Sequence, residues 1–320
     1  MSRAGIVTLA GKPNAGKSTL LNRLVGQRLS ITSPKPQSTR DRVVGILTRD
    51  TPSVTPGASP DPAEPSQLVL FDTPGLIEPR DDLQRSMRSA ALIALADADV
   101  IIYLADAMAG TPPPLETAAG LSTSLRAPVV LALNKSDILP PNRRELATGT
   151  ATPPETDPPA ATPYAATFLI SAATGDGVEA MLDAVTAMLP ESPFLYPADD
   201  VSTQSVRFFA SELIRETAFE QLEQELPYSL AAQIEEFRET QSPVYIRAII
   251  YVERDSQQGI LVGHKGSRIR EIGRAARIKI EQLVGAPVYL DLRVKVLSDW
   301  RRDPAALRRF GYLSPPPARS

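Results

Sequence analysis

Cysteine is absent from the 320 residues, and histidine and tryptophan each occur only once. The lack of cysteine excludes disulfides, thiolate-bound zinc and a cysteine nucleophile, and one histidine excludes a histidine-based metal cage. Long apolar runs are also missing, since none reaches the roughly 20 residues that span a bilayer. Because the amino terminus runs straight into a short apolar stretch, residues 6–10, we expect no targeting peptide and a cytoplasmic location.

Charge is distributed unevenly along the chain, although the formal net charge is only −3. Residues 243–320 hold 15 Lys and Arg against 7 Asp and Glu, which leaves −11 for the remainder. A length of 320 residues favours two domains. An acidic first part joined to a basic last part indicates an enzyme domain attached to a domain that binds a polyanion.

The stretch Gly-Lys-Pro-Asn-Ala-Gly-Lys-Ser at residues 11–18 is the first motif. It lies between an apolar run and a predicted helix, which is the strand, glycine loop and helix that phosphate binding requires. We predict that Lys17 reaches the β- and γ-phosphates and that the Ser18 hydroxyl binds Mg²⁺. The predicted phosphate-binding residues are Gly11, Lys12, Pro13, Asn14, Ala15, Gly16, Lys17, Ser18 and Thr19.

Three further motifs follow predicted buried strands. The first is Asp72-Thr73-Pro74-Gly75, in which Asp72 can hold Mg²⁺ and the Gly75 amide can sense a γ-phosphate. The second is Asn134-Lys135-Ser136-Asp137. Guanine presents two adjacent N–H donors that one carboxylate can accept, so we predict that Asp137 selects guanine. Asn134 and Lys135 would brace the phosphate loop and cover the base. The third motif is Ser171-Ala172-Ala173, whose backbone would contact guanine O6.

In this order the motifs resemble the GTPase domain of the translation-factor class. The resemblance covers residues 1–190, apart from proline-rich insertions at 51–66 and 139–163, and implies a doubly wound α/β sheet. It assigns the Mg²⁺ ligand of the first switch to Thr39, with Ser38 as the alternative. The metal-binding set is therefore Ser18, Thr39 and Asp72.

Two positions bear on the rate of GTP hydrolysis. Leu76 stands where many of these GTPases carry a water-orienting glutamine, so we expect slow, Mg²⁺-dependent turnover. Asn14 resembles the asparagine with which some GTPases coordinate K⁺, the alternative being that it only stabilises the loop. The predicted catalytic residues are Lys17, Thr39, Gly75 and Asn14.

A second domain is predicted at residues 206–320, after a proline-marked linker at 191–205. Its predicted order is α-β-β-α-α-β, with strands at 227–237, 244–253 and 288–296. Between two helices lies Gly263-His264-Lys265-Gly266, which resembles the loop of a type II KH domain that clamps single-stranded RNA. Lys265, Arg268 and Arg270 would meet phosphates, and Ile260, Val262 and Ile269 would form the floor for bases. The alternative for the arginines is a solvated helix face.

A GTPase domain is followed by a type II KH domain, and the segments 31–37, 225–229 and 295–302 accompany them. With these features the chain, apart from the two proline-rich insertions, resembles the Era family of bacterial ribosome-assembly GTPases. That resemblance implies Mg²⁺-dependent GTP hydrolysis, binding near the 3′ end of small-subunit ribosomal RNA, maturation of the 30S subunit and peripheral membrane association. We expect a monomer in which the γ-phosphate changes the exposure of the RNA-binding groove. Two alternatives are a GTPase of tRNA modification and a constitutive RNA-binding protein with a vestigial nucleotide site. The tail at residues 299–312 carries Trp300, which we expect to anchor it to the second domain.

Overall fold

The computed structural model describes residues 2–33, 35–53, 61–140, 163–222 and 226–312. The chain divides into two compact units, Met1–Glu78 with Ala90–Thr203, and Pro79–Ser89 with Gln204–Ser320. Within the part that the structure describes, no helix is both long enough and apolar enough to cross a membrane. Residues 141–162, within the proline-rich insertion at 139–163, lie outside the described residues.

The first unit is built around one sheet. Its strands are β1 (Arg3–Gly11), β2 (Val43–Ser53), β3 (Asp61–Asp72), β4 (Val100–Asp106), β5 (Val129–Asn134) and β6 (Ala166–Leu169). They lie in the order β2-β3-β1-β4-β5-β6, and all neighbours are parallel except the hairpin pair β2 and β3. The central strands are buried almost throughout, as parallel strands are when helices cover both faces.

The helices that accompany this sheet are α1 (Lys17–Val25), α2 (Asp82–Asp97), α3 (Leu115–Ala119) and α4 (Val178–Met188). Helix α2 is divided, because its residues as far as Ser89 belong to the second unit. The alternation of strands and helices confirms the predicted doubly wound α/β class. The carboxyl ends of β1, β3, β4 and β5 meet at one edge of the sheet, which is where such folds bind ligands.

The proline-rich segment at 51–66, which the sequence predicts as the tip of a hairpin, is described only in part. Both strands of the hairpin extend into it, with Thr51 opposite Glu64 and Ser53 opposite Asp61. The pairing of β3 with β1 begins only at Ser66, so in this segment β3 pairs with β2 alone. Prolines are tolerated in such a two-stranded ribbon because an edge position does not require every N–H.

Residues 191–203, predicted as part of a linker, belong to the first compact unit. Ile46 N–H donates to Val201 O at 2.8 Å, and Gln67 Oε1 accepts from the backbone N–H groups of Leu195 and Tyr196. The segment thus satisfies a backbone group of β2 and the side chain of Gln67 on β3. In the sheet of the described residues, β2 is the edge strand. Sequence composition identified its prolines but not these partners.

The second unit is built around a smaller sheet. In chain order its elements are α5 (Val206–Gln221), α6 (Leu226–Ser229), β7 (Ala231–Arg238), β8 (Val244–Val252), α7 (Asp255–Val262), α8 (Ser267–Val284), β9 (Val288–Val296) and α9 (Pro304–Arg309). Strand β8 is central, antiparallel to β7 and parallel to β9. The order confirms α-β-β-α-α-β, but the strand predicted from residue 227 begins at Ala231. Residues 226–229 form a helical turn instead, in which the fixed φ of Pro227 is tolerated.

Alternation along β8 separates two apolar layers in the second unit. Ile246, Ala248 and Ile250 point to the side where α5 and α8 contribute Ile214 and Ile272. On the opposite side, Ile249 and Tyr251 pack with the tail residues Trp300 and Leu307 and with Leu83 and Met87 of α2. Trp300 is fully buried, and its Nε1 donates to Ser229 O at 2.9 Å. The anchoring role predicted for Trp300 is confirmed.

Candidate nucleotide site and RNA interface

The phosphate loop connects the end of β1 to the start of α1. Lys17 is buried, and its Nζ donates to Gly11 O at 3.1 Å and to Lys12 O at 3.0 Å, which curls the loop around the ammonium. Gly16 has φ +100°, and a Cβ there would lie 2.1 Å from Asn134 Nδ2, so only glycine fits. Burial lowers the pKa of Lys17 to about 8, and the nearby Asp72 carboxylate opposes this shift.

An oxygen cluster lies beside Lys17. Ser18 Oγ donates to Asp72 Oδ2 at 2.7 Å and lies 2.9 Å from Thr39 Oγ1. Burial raises the pKa of Asp72, opposed by Lys17 and by the hydroxyls of Ser30, Ser18 and Thr39. The other carboxylate oxygen, Asp72 Oδ1, is buried and has no hydrogen-bond partner among the described residues. These three predicted ligands are therefore together, and hydroxyl and carboxylate oxygens are the donors that Mg²⁺ prefers.

No group of three or more His, Cys, Asp or Glu residues in the described ranges could hold a metal ion by itself. The cluster at Ser18, Thr39 and Asp72 supplies one carboxylate and two hydroxyls. Such a set suits Mg²⁺ that is shared with phosphate oxygens and water. It does not suit an all-protein metal cage.

The loop after β3 places its residues in different roles. A Cβ on Gly75 would lie 2.6 Å from Pro13 N, so glycine allows this loop to approach the phosphate loop closely. Leu76 N–H donates to Gly11 O at 3.1 Å, while its side chain is buried in the apolar cluster of Tyr103 and Leu131. Leu76 is thus directed into the core of the unit. Thr73 Oγ1 donates to Leu9 O at 2.8 Å, which fixes the strand end.

The residues predicted to read the base are braced by one another. Asn134 Nδ2 donates to Ala15 O at 2.8 Å, as predicted for a brace of the phosphate loop, and Asn134 Oδ1 accepts from Ala172 N–H. Ser171 Oγ donates to Asp137 Oδ1 at 2.7 Å. The Ala172 amide therefore stabilises Asn134, and the Ser171 hydroxyl orients the carboxylate of Asp137.

A cavity of about 580 Å³ connects the phosphate loop with the base-reading motif. The predicted residues that line it are Pro13, Asn14, Gly16, Lys17, Ser18, Thr19, Thr39, Gly75, Asn134, Lys135, Asp137, Ala172 and Ala173. The other predicted residues lie outside the lining, namely Gly11, Lys12, Ala15, Asp72, Thr73, Pro74, Leu76, Ser136 and Ser171. Of these residues, Gly11, Asp72 and Ser171 hydrogen-bond to residues that line the cavity and so hold the lining in place.

The Gly-x-x-Gly loop of the second unit joins α7 to α8. Gly263 and Gly266 have φ +71° and +76°, and a Cβ on Gly263 would lie 2.9 Å from Arg268 Cβ. Lys265 and Arg268 are exposed, and the guanidinium of Arg270 donates to Lys265 O at 3.0 Å. Among the predicted floor residues, Ile260 is 52% exposed, and Val262 and Ile269 are half-buried. His264 lies within the exposed part of the loop.

Similarity to known proteins covers both units. A family model described as "50S ribosome-binding GTPase" matches residues 6–135, and a KH domain model matches residues 225–301. GTPase Era of Carboxydothermus hydrogenoformans is 36% identical over 97% of this chain and 98% of its own length. GTPase Era of Nocardioides sp. is 40% identical over 97% of this chain and 96% of its own.

The chain belongs to the GTPase Era family. Two solved Era structures agree with the architecture. An Aquifex aeolicus Era variant bound to GDP·AlF₄⁻ matches with a TM-score of 0.82 and 35% identity, covering 97% of this chain and 99% of that one. Era in complex with MgGDPNP and nucleotides 1506–1542 of 16S ribosomal RNA matches with a TM-score of 0.84 and 35% identity, covering 98% and 99%.

Several residues of this Era family member's nucleotide site lie outside the motifs. Ser30 Oγ donates to Asp72 Oδ2 at 2.6 Å, and Asn22 holds the backbone of Ser30 through its side-chain amide. Asp106 accepts from Lys135 Nζ at 2.7 Å. The cavity lining adds Ile31, Thr32, Ser33, Gln37 and Ile138, and it includes Ser38, the predicted alternative to Thr39. The position of Asp106 directly after a buried strand was the one available sequence signal.

The second unit of this Era family member contains a groove whose lining the sequence predicted only in part. It has a volume of about 340 Å³ and lies between α8 and β9. Besides the predicted Ile269 and Arg270, its lining consists of Gly273, Arg274, Arg277, Val288, Tyr289, Leu290 and Leu292. Arginines on the helix side and aliphatic residues on the strand side make a surface that suits an RNA strand.

Proposed function

We propose that this protein binds and hydrolyses GTP with Mg²⁺, binds the 3′ region of small-subunit ribosomal RNA, and acts in assembly of the 30S subunit. One observation carries the proposal. The same chain has a cavity lined by both the phosphate-binding and the base-reading motifs, and a Gly-x-x-Gly loop beside a basic groove. The near full-length similarity to Era bound to MgGDPNP and nucleotides 1506–1542 of 16S ribosomal RNA supports this choice of ligands.

In the nucleotide site, Ser18 and Thr39 would hold Mg²⁺ directly and Asp72 would hold it through water. The ion would neutralise phosphate charge and fix the phosphates in position. Lys17 lies at the bottom of the same cavity and would stabilise charge on the β- and γ-phosphates. Because Leu76 packs into the core, it does not orient the attacking water. Slow intrinsic hydrolysis follows from this arrangement.

Base selection is the most direct test of the nucleotide assignment. We expect Asp137→Asn to weaken GDP binding by about 10²- to 10⁴-fold, since one or two charge-assisted hydrogen bonds of about 1.5–3 kcal/mol each are lost. Binding of xanthosine diphosphate should rise, because an asparagine amide offers one acceptor and one donor to xanthine N1–H and O2. Competition against a fluorescent GDP measures both effects. The control is Asp176→Asn, which alters an exposed carboxylate in the loop after Ser171. A GDP affinity unchanged in Asp137→Asn would refute the assignment.

We also propose that K⁺ at Asn14 accelerates hydrolysis. GTP turnover should then be about tenfold or more faster in KCl than in NaCl at matched ionic strength, since a cation near the phosphates stabilises transition-state charge. Asn14 has φ +62°, so Asn14→Gly removes the side-chain oxygen while keeping the backbone conformation. That variant should lose the difference between the two salts. Equal rates in KCl and NaCl for the unmodified protein would leave Asn14 with a loop-stabilising role only.

Two other functions are less well supported. A GTPase of tRNA modification would require modifying-enzyme residues that the sequence does not contain. A vestigial nucleotide site would not need Lys17, Ser18 and Asp72 to be held together as they are. Peripheral association with the cell membrane is a further proposal that rests on the resemblance alone.

A further inference from the structure

The loop between α1 and β2 is connected to the carboxylate of Asp72 at both of its ends. Near its start, Ser30 Oγ donates to Asp72 Oδ2 at 2.6 Å. Near its end, Thr39 Oγ1 lies 2.9 Å from Ser18 Oγ, which donates to the same carboxylate oxygen at 2.7 Å. Thr39 and Ser18 are predicted metal ligands, whereas Ser30 belongs to none of the motifs. Ser30 is thus an additional hydroxyl at this carboxylate that the motifs do not explain.

The hydrogen bond from Ser30 to Asp72 is buried. Ser30 is only 3% exposed, and Asp72 is fully buried. A charged carboxylate that is removed from water requires hydrogen-bond donors, and a bond to such a group is stronger than one between neutral groups. Ser30 and Ser18 both donate to Oδ2, and this fixes the orientation of the carboxylate. Only one of these two donors is itself a predicted metal ligand.

Ser30 is itself held in position by a side chain of α1. The side-chain oxygen of Asn22 accepts from the backbone N–H groups of Leu29 at 2.9 Å and Ser30 at 2.8 Å, and its amide donates to Ser30 O at 2.8 Å. Both backbone groups of Ser30 are therefore satisfied by one residue of the helix that begins at Lys17. A ligand whose own hydrogen-bond partner is fixed in this way is typical of metal sites.

We infer that Ser30 is a positioning residue of the Mg²⁺ site, which orients Asp72 and thereby raises the affinity of the nucleotide complex for Mg²⁺. This inference rests on the proposed binding of guanine nucleotide with Mg²⁺ and extends the site to a residue outside the motifs. Ser30 acts only through the carboxylate of Asp72 and contacts neither the ion nor the nucleotide. Its removal should therefore change the properties that depend on Mg²⁺ and leave metal-free nucleotide binding as it is.

The test measures how tightly the GDP complex of the full chain holds Mg²⁺. Release of a fluorescent GDP is followed over a range of free Mg²⁺ concentrations and again in excess EDTA. Ser30→Ala should need about tenfold or more free Mg²⁺ to slow release to the same extent, which is the usual effect of losing the hydrogen-bond partner of a metal ligand. In EDTA, the variant and the unmodified protein should release GDP at the same rate, because Ser30 acts through the metal site alone.

The matched control is Ser66→Ala, which removes a similarly buried hydroxyl from β3, the strand that ends at Asp72. Its Mg²⁺ requirement should equal that of the unmodified protein. An unshifted Mg²⁺ requirement in Ser30→Ala would overturn the inference. Release from Ser30→Ala that is accelerated equally with Mg²⁺ and with EDTA would also overturn it, since Ser30 would then have a structural role only. If release from the unmodified protein does not respond to Mg²⁺, the proposed use of Mg²⁺ is contradicted together with the inference.

Discussion

Lys17→Ala is expected to reduce GTP turnover by about 10³-fold or more. Removing one preorganised electrostatic contact to the transition state costs about 10²–10³ in rate. Lys17 does more than this, because its ammonium also holds Gly11 O and Lys12 O and so maintains the shape of the phosphate loop. Its loss would additionally leave the buried Asp72 without its cationic neighbour. Phosphate release and binding of fluorescent GDP measure the two effects separately.

The control for this prediction is Lys295→Ala, which removes an exposed lysine from the second unit. Its turnover should match that of the unmodified protein. Turnover of Lys17→Ala within a few-fold of normal would contradict the assignment of the nucleotide site. Loss of GTP binding in Lys17→Ala with normal growth and RNA processing would instead favour a vestigial site in a constitutive RNA-binding protein.

Trp300→Ala should destabilise the second unit by about 3–5 kcal/mol, the usual cost of truncating a buried aromatic side chain. The tryptophan is fully buried, forms an edge-on contact with Phe310 at 5.2 Å and stacks on Tyr312 at 6.3 Å. Its removal also takes the donor away from Ser229 O, which adds about 1–3 kcal/mol if that carbonyl stays buried. Most of the net stability of a typical domain would be lost.

Unfolding in urea followed by circular dichroism measures this loss. In the unmodified protein the single tryptophan also reports unfolding of the second unit by fluorescence. Trp300→Phe keeps part of the packing and should lose less stability than the alanine variant. The control Leu195→Ala, at an exposed position of the first unit, should lose about 0.5 kcal/mol or less. A loss below about 1 kcal/mol for Trp300→Ala would show that the tail does not depend on its anchor.

Sequence reasoning succeeded where chemistry depends on residues close together in the chain. The phosphate loop places Lys17 and Ser18 between a strand and a helix, and Asp72 and Asn134 end buried strands, so parallel pairing brings them together. Ser30 could not be found this way, because it lies in a loop and meets Asp72 only across 42 positions of the chain. Most of the lining of the groove between α8 and β9 was missed, because its two sides come from a helix and a strand whose packing is a property of the folded unit.

The start of α2 lies between the nucleotide motif and the RNA unit along the chain. Gly75 is four positions before Pro79, where the segment Pro79–Ser89 of the second unit begins. Within that unit, Arg301 contacts Asp81 at 3.2 Å and Glu253 at 2.8 Å, and Leu83 packs with Trp300. The loop that we propose to respond to the γ-phosphate is thus covalently continuous with a segment of the second unit. This continuity supports the hypothesis that the nucleotide controls RNA binding.

Control of RNA binding by the nucleotide is best tested by fluorescence anisotropy. The full chain is titrated onto the 1506–1542 RNA with Mg²⁺ and either a GTP analogue or GDP. We expect saturable binding whose dissociation constant differs between the two nucleotides by about fivefold or more, for an ordinary coupling energy of 1–3 kcal/mol. Equal affinity in both states would contradict control by the nucleotide, and absence of binding in both would contradict the function proposed for the second unit.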